Sequence, residues 1–461
     1  MTKKTGPGRL KPRLHVQIHG LFQRPCSNLN RDESGRPKSI MLGNTRRTRM
    51  TAQSIKRSMR DCDLYREFVR AHQERLGVTP HDALEVPSKS VMRALAERLI
   101  AETGLCEALV AAAVAPWRDK LFGGQACRID GADPLAALDG PVPAKLGPRE
   151  TAFIEGELLT LLNDTAPDQD PEEVLSRSRG RIKQGQAALR EMGPDGGLEM
   201  ALFGRYTSGE LVSRQKGAVT ISHAIGVHEA RFETDDVAAT DPLWEAYNTG
   251  VTRTRGTYDQ TLTDTRDYLY AQIDTAQLSE NLGLDIDPAD DPARNPDHPS
   301  ELDDGDRIDR EAVAQAVEMM VELFAHASAT GKLGQTASVG RAAFVMIEIG
   351  EAAPHNLVSA FDHPCTPDLE DAARRLADHI AENDRMYGRR CLRAYATRLT
   401  GFDADAANAK DLGTVRKLAR LAGDAIRRPD EVRHLLPRDA ELTEDNLLTL
   451  FSVEHQSLAN A

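Results

Sequence analysis

The chain has 461 residues, 40% of them hydrophobic and 28% charged, enough apolar material for a full core in two or three domain-sized pieces. No run nears the roughly 18 apolar residues of a membrane span, and the basic start, Met1 to Arg13, has no apolar stretch behind it, so a cytoplasmic chain with no membrane partner is expected. The six cysteines are scattered with no Cys-x-x-Cys pair, which excludes a zinc ribbon and a dense disulfide framework.

Net charge is -13, but residues 1–60 hold fifteen Lys and Arg against only Asp32 and Glu33, a local balance of +13 that leaves -26 elsewhere. Phosphate binding responds to potential within about 8 Å at physiological salt, so this segregation matters more than the total.

Behind the leader, Leu14 to His19 alternates apolar and polar residues, the period of a strand covered on one face with the other open. A loop rich in Asn, Ser, Gly and Pro spans Cys26 to Asn44, and Arg46 to Met50 reads as a second extended piece leading into a helix. If that helix starts near Thr51, Gln53, Lys56, Arg57 and Arg60 share one face while Ala52, Ile55 and Met59 share another. Thr51 caps the first turn, an end that favours anions. With Arg46, Arg47 and Arg49 just before it, the segment is either a solvated basic face paired with acids elsewhere or a grip on a phosphate backbone that is indifferent to base identity.

From 61 to 200 the pattern is helical, as in Val91, Met92, Leu95 and Leu99, and suggests an insertion. Extended segments return at Val219 to His223 and Tyr268 to Ile273, the second running into a helix at Ala276 to Leu282. Residues 285–307 are proline-rich and acidic and read as a linker. A helix over Ile308 to Ala327, an apolar strand over Ala342 to Ile349, and a mostly helical tail from Asp368, broken at Pro429 and Pro437, complete the chain.

Several blocks carry a resemblance. They are Ile18-His19 through Leu29-Asn30-Arg31-Asp32, Gly43, Arg46-Arg47-x-Arg49 with Gln53-Ser54-Ile55-Lys56-Arg57-x-Met59-Arg60, Ala201-Leu202-x-Gly204-Arg205 with Thr207-Ser208-Gly209, Gly217-Ala218-x-x-Ile221-x-His223-Ala224-Ile225, and Tyr268-x-Tyr270-Ala271 with Ala276-Gln277-Leu278. In this order they closely resemble the CasC family, the multi-copy backbone subunit of the type I-E CRISPR Cascade complex. The resemblance implies an α+β fold: a modified RNA-recognition-motif (ferredoxin-like) palm in residues 1–60, 201–284 and 308–461, helical fingers inserted at 61–200, and a thumb β-hairpin at about 232–262. It implies a non-catalytic, oligomeric subunit that lines CRISPR RNA beside other copies of itself and other Cascade subunits and presents the guide to target DNA. The RNA contacts it implies are Arg31, Lys38, Arg49, Gln53, Lys56, Arg57 and Arg60, with the turn Tyr206, Thr207 and Ser208 approaching RNA as well.

Asp32 offers an enzymatic alternative, since related backbone subunits of RNA-cleaving complexes carry a catalytic aspartate in this loop; a carboxylate there could hold Mg2+ beside a phosphate. The preferred reading is a salt bridge to Arg31 or another nearby arginine. His15 and His19 share a strand face, but their Cα atoms stand about 13 Å apart, too far for one metal. Tyr268 and Tyr270 share a face and either stack on bases or pack in the core, the second being preferred. No Walker-type loop, His-Glu-x-x-His or Gly-x-Ser-x-Gly is present, so no cofactor, metal or nucleophilic site is expected.

Overall fold

A computed structural model describes residues 14–75, 87–123, 126–129, 133–191, 197–207, 209–240, 247, 254–282, 304–338 and 340–436. The basic leader, Ser208, the break at Pro437 and the acidic stretch up to residue 303 lie outside them. The described residues fall into two compact units, one drawn from 66–220 and 274–313 and the other from 12–65, 221–273 and 314–461.

The second unit opens with β1 (His15–Ser27), which outruns the expected strand, followed by β2 (Ser39–Leu42), β3 (Thr45–Met50) and helix α1 (Ala52–Arg60). α2 (Asp63–Arg75) comes next. Strand β2 lies inside the stretch read from sequence as loop, because Ser39 to Leu42 pairs antiparallel with Thr45 to Thr48 across a turn at Gly43, whose φ of 56° suits glycine.

The other unit is helical over the segment expected as an insertion, with α3 (Val91–Thr103), α4 (Glu107–Phe122), α5 (Pro148–Asn163), α6 (Pro171–Glu191) and α7 (Leu198–Phe203). Leu95, Leu99, Val110, Val114, Trp117, Leu158 and Leu162 close one apolar core. Within it a buried Arg205 pairs bidentately with Glu150, and Lys145 Nζ donates to Glu199 at 2.7 Å.

Farther along run β4 (Val219–Ile221), β5 (Ala224–Gly226), β6 (Phe232–Thr240), β7 (Thr254–Asp274), α8 (Thr275–Asn281), α9 (Asp304–Ala325), β8 (Ala342–Gly350), α10 (Leu369–Tyr387), β9 (Cys391–Thr397), β10 (Lys410–Asp411), α11 (Val415–Arg427) and α12 (Pro429–Leu435). α9 starts at Asp304, inside the stretch read as linker. The described tail is mostly helical, as expected, but it also contributes β9 and the two-residue β10 to the sheet. The sheet order is β10-β9-β8-β1-β7-β5-β3-β2, mixed because β10 runs parallel to β9 while the β1–β8 and β8–β9 pairs are antiparallel. β6 and β7 form an antiparallel ribbon from Phe232 opposite Thr263 to Thr240 opposite Thr254, and the β6 side chains from Phe232 to Asp236 are exposed.

The central position of β1 overturns the expectation of an open face. Gln17 and His19 are buried, because α10 covers that side with Leu376, Ala377 and Ile380 in a core shared with Leu21, Tyr268 and Phe361. On the opposite side a Cβ at Gly20 would meet the Phe324 ring at 2.7 Å, so only glycine admits this approach. Charges in the covered layer are paired: Glu348 lies between His19, at 3.3 Å, and Arg393, which also reaches Asp384.

Candidate nucleic-acid interface

The loop between β1 and β2 folds back on β3. Lys38 N donates to Asn30 O at 2.8 Å, and Arg49 N donates to Lys38 O at 2.9 Å, so the Lys38 and Arg49 backbones run side by side. Asp32 Oδ1 accepts from the Ser34 and Arg36 amides at 2.9 and 3.0 Å and from the Ser34 hydroxyl at 2.8 Å. These bonds, the Ser34 hydroxyl first, hold its carboxyl below the usual range. The expected salt bridge is thus replaced by a turn closed on the aspartate, of the kind short acidic side chains make with their own backbone. Arg31 bridges Pro37 and its side chain is exposed.

Three groups fix the start of α1. Thr51 Oγ1 accepts from Ser54 N, Thr51 N donates to Asn30 Oδ1 at 3.1 Å, and Ala52 N donates to His223 Nδ1 at 3.0 Å. Ile55 and Met59 are buried, while Gln53 and Arg57 are exposed and Lys56 and Arg60 half-buried, so the apolar face anchors and the cationic face looks outward. No acid occupies the first turn, and Arg57 and Arg60 occupy the last. Arg57 makes an exposed pair with Asp61 at 3.7 Å, an interaction worth little in water.

Arg46 is exposed and Arg49 half-buried, but Arg47 departs from the expectation of an RNA contact. It is buried, with its guanidinium donating to the carbonyls of Gly226 at 3.1 Å and Phe361 at 3.0 Å and to Thr45 Oγ1 at 2.8 Å. Its donors are consumed by the fold, because strand alternation turns it away from Arg46. Tyr206 and Thr207 belong to the helical unit. Tyr206 is exposed with the Arg214 guanidinium 4.8 Å from its ring centre, whereas Thr207 is buried and its Oγ1 accepts from Gly209 N. Tyr268 and Tyr270 pack in the core, Tyr268 bonding His19 and Tyr270 bonding Gln17.

Sequence reasoning missed His223 and Asn30 as braces for the helix and the ion pair of Arg24 with Asp267 beneath the loop. Burial, followed by the charge of Arg49, lowers the His223 pKa and favours the neutral ring that accepts the Ala52 amide. A lone arginine on a strand and a histidine after a strand carry no local signal of these roles.

Among the described residues no group of three His, Cys, Asp or Glu is arranged to hold a metal ion, and no helix is long and apolar enough to cross a membrane. What the surface offers is a braced helix start near Lys38 and Arg49, with exposed Arg31 and Arg46 on the preceding loop and strand and exposed Arg57 on the last turn, a set suited to an extended polyanion.

The fold is one found in chains of CRISPR surveillance assemblies. Two solved structures, described as "CRISPR RNA-guided surveillance complex, pre-nicking" and "CRISPR RNA-guided surveillance complex", contain chains that superpose with TM-scores of 0.64 and 0.57 at 21% and 19% identity. Each match covers 89% of this chain, and 100% and 99% of theirs. The chain belongs to the Cas family of CT1975-like proteins, whose family model matches residues 16–423, in line with the resemblance to a Cas backbone family. No curated protein matches it.

Proposed function

We infer that this chain is a non-catalytic, CRISPR RNA-binding backbone subunit of a Cascade-type complex of type I-E character. Copies follow one another along the guide and present it for pairing with target DNA. In this reading the sheet unit is a modified RNA-recognition-motif palm, the helical unit supplies fingers, and the β6–β7 ribbon is the thumb.

The observation that carries it is the cationic surface around α1, held in place by Thr51, Asn30 and His223 in a chain of this family. Such a surface grips phosphates, releases counterions and leaves the bases free to pair.

Expressed with its guide RNA and partner subunits, the full chain should purify as a large particle rich in 260 nm absorbance; a small, RNA-free protein would refute the assembly role. The absence of catalysis is tested separately. Asp32→Ala should keep guide and target binding, and no Mg2+-dependent RNA cleavage should be present in the parent to lose; cleavage that disappears with Asp32 would reverse this part.

A further inference from the structure

Beneath the loop that carries Lys38 lies a small cavity whose largely apolar lining, with Leu29 and Met50, is interrupted by Arg24, Thr48, Arg49 and Asp267. It gives about 20 Å³ to the centre of a water-sized group, room for a single oxygen. Its walls are incompletely satisfied. Arg24 is fully buried, with Nη1 on Asp267 and Nη2 on the Ala327 carbonyl at 2.7 Å, yet its Nε has no hydrogen-bond partner among the described residues. Arg49 Nε is buried and unpartnered too. Among the described residues, Asp267 Oδ1 meets the Thr48 hydroxyl, at 3.5 Å, too long for a strong bond.

Unmet donors on buried arginines are costly, and native proteins leave few of them. The group that would complete this cavity must accept from the arginines and donate to the carboxylate. A phosphate oxygen accepts but cannot donate, and it would face the Asp267 charge. A hydroxyl does both.

We propose that this cavity receives a ribose 2′-hydroxyl of the bound strand, so that the surface distinguishes RNA from DNA. The proposal rests on the RNA-binding reading given above. The hydroxyl is the one sugar group whose presence separates the two polymers, and it is both donor and acceptor. Phosphate contacts around α1 would supply affinity, and this site the choice of polymer.

The test measures binding of the full chain to one RNA sequence and to its 2′-deoxy counterpart. The unaltered protein should bind RNA at least about tenfold more tightly. Thr265→Ile, whose added bulk fills the cavity and excludes a hydroxyl, should erase most of that preference by weakening RNA alone. Should Thr265→Ile fail to fold, Thr48→Ile fills the same cavity and makes the same comparison. Equal affinity of the parent for both strands would overturn the hydroxyl site while leaving the cationic surface standing. Equal losses on both strands in the variant would assign the cavity to a phosphate instead, and an unchanged preference would mean that it holds only water. Failure of the parent to bind either strand would refute the RNA-binding reading itself.

Discussion

His223 Nδ1 accepts the backbone N–H of Ala52 at 3.0 Å, so a residue between β4 and β5 caps the helix that carries the cationic face. Burial and the Arg49 charge lower its pKa, so the folded protein binds this proton less readily than the unfolded chain. Stability from the cap is therefore present above the unfolded value of about 6.5 and lost as pH falls through the lower folded one. Thermal unfolding followed from pH 7.5 to 5 should show a decline that His223→Asn reduces, since asparagine accepts a bond without titrating. An identical pH slope in the variant would remove His223 from this role.

Arg47 and Arg57 separate folding from binding. Arg47→Met leaves two backbone carbonyls without donors and should destabilise by about 3 kcal/mol, read in denaturant unfolding. Arg57→Gln, at an exposed site, should stay within about 0.5 kcal/mol of the parent and yet bind RNA more weakly. Reversal of these two outcomes would show that the structural role of Arg47 and the binding role of Arg57 have been misassigned.

The layer under α10 holds a buried chain of charges. Burial alone would raise the Glu348 pKa, but the His19 hydrogen bond and the Arg393 charge overcome this and hold it well below the usual carboxylate range. Its contribution is present above the unfolded pKa of about 4.3 and lost as pH falls below it. Arg393→Met, which strands Glu348, should cost about 3–5 kcal/mol, whereas Arg393→Met with Glu348→Leu should recover part of that loss. A double variant no better than the single would mean that packing, and not charge, dominates there.

Much of this was legible beforehand, for physical reasons that differ from residue to residue. The run Ala342 to Gly350 is apolar and short, and it forms a buried strand; Ile55 and Met59 obey the helical period, and both are buried. Cys391 to Thr397 was hidden because a fully buried strand loses its alternation and Arg393 mimics a helix surface, although its charge is absorbed by Glu348 and Asp384. The single acid in Ala342 to Gly350 was the available sign of that buried pair. Among Arg46, Arg47 and Arg49, composition cannot say which one is consumed inside; that depends on Gly226 and Phe361, which are remote in sequence.

The central claim, a phosphate grip centred on α1 and its loop, is tested most directly by the salt dependence of RNA binding. The logarithm of affinity plotted against that of salt should fall with a slope of about -0.7 per phosphate engaged. Lys38→Glu with Arg57→Glu should flatten that slope by about one unit or more and weaken binding to all sequences alike. A parent slope near zero, or a double variant that binds as the parent does, would contradict the account.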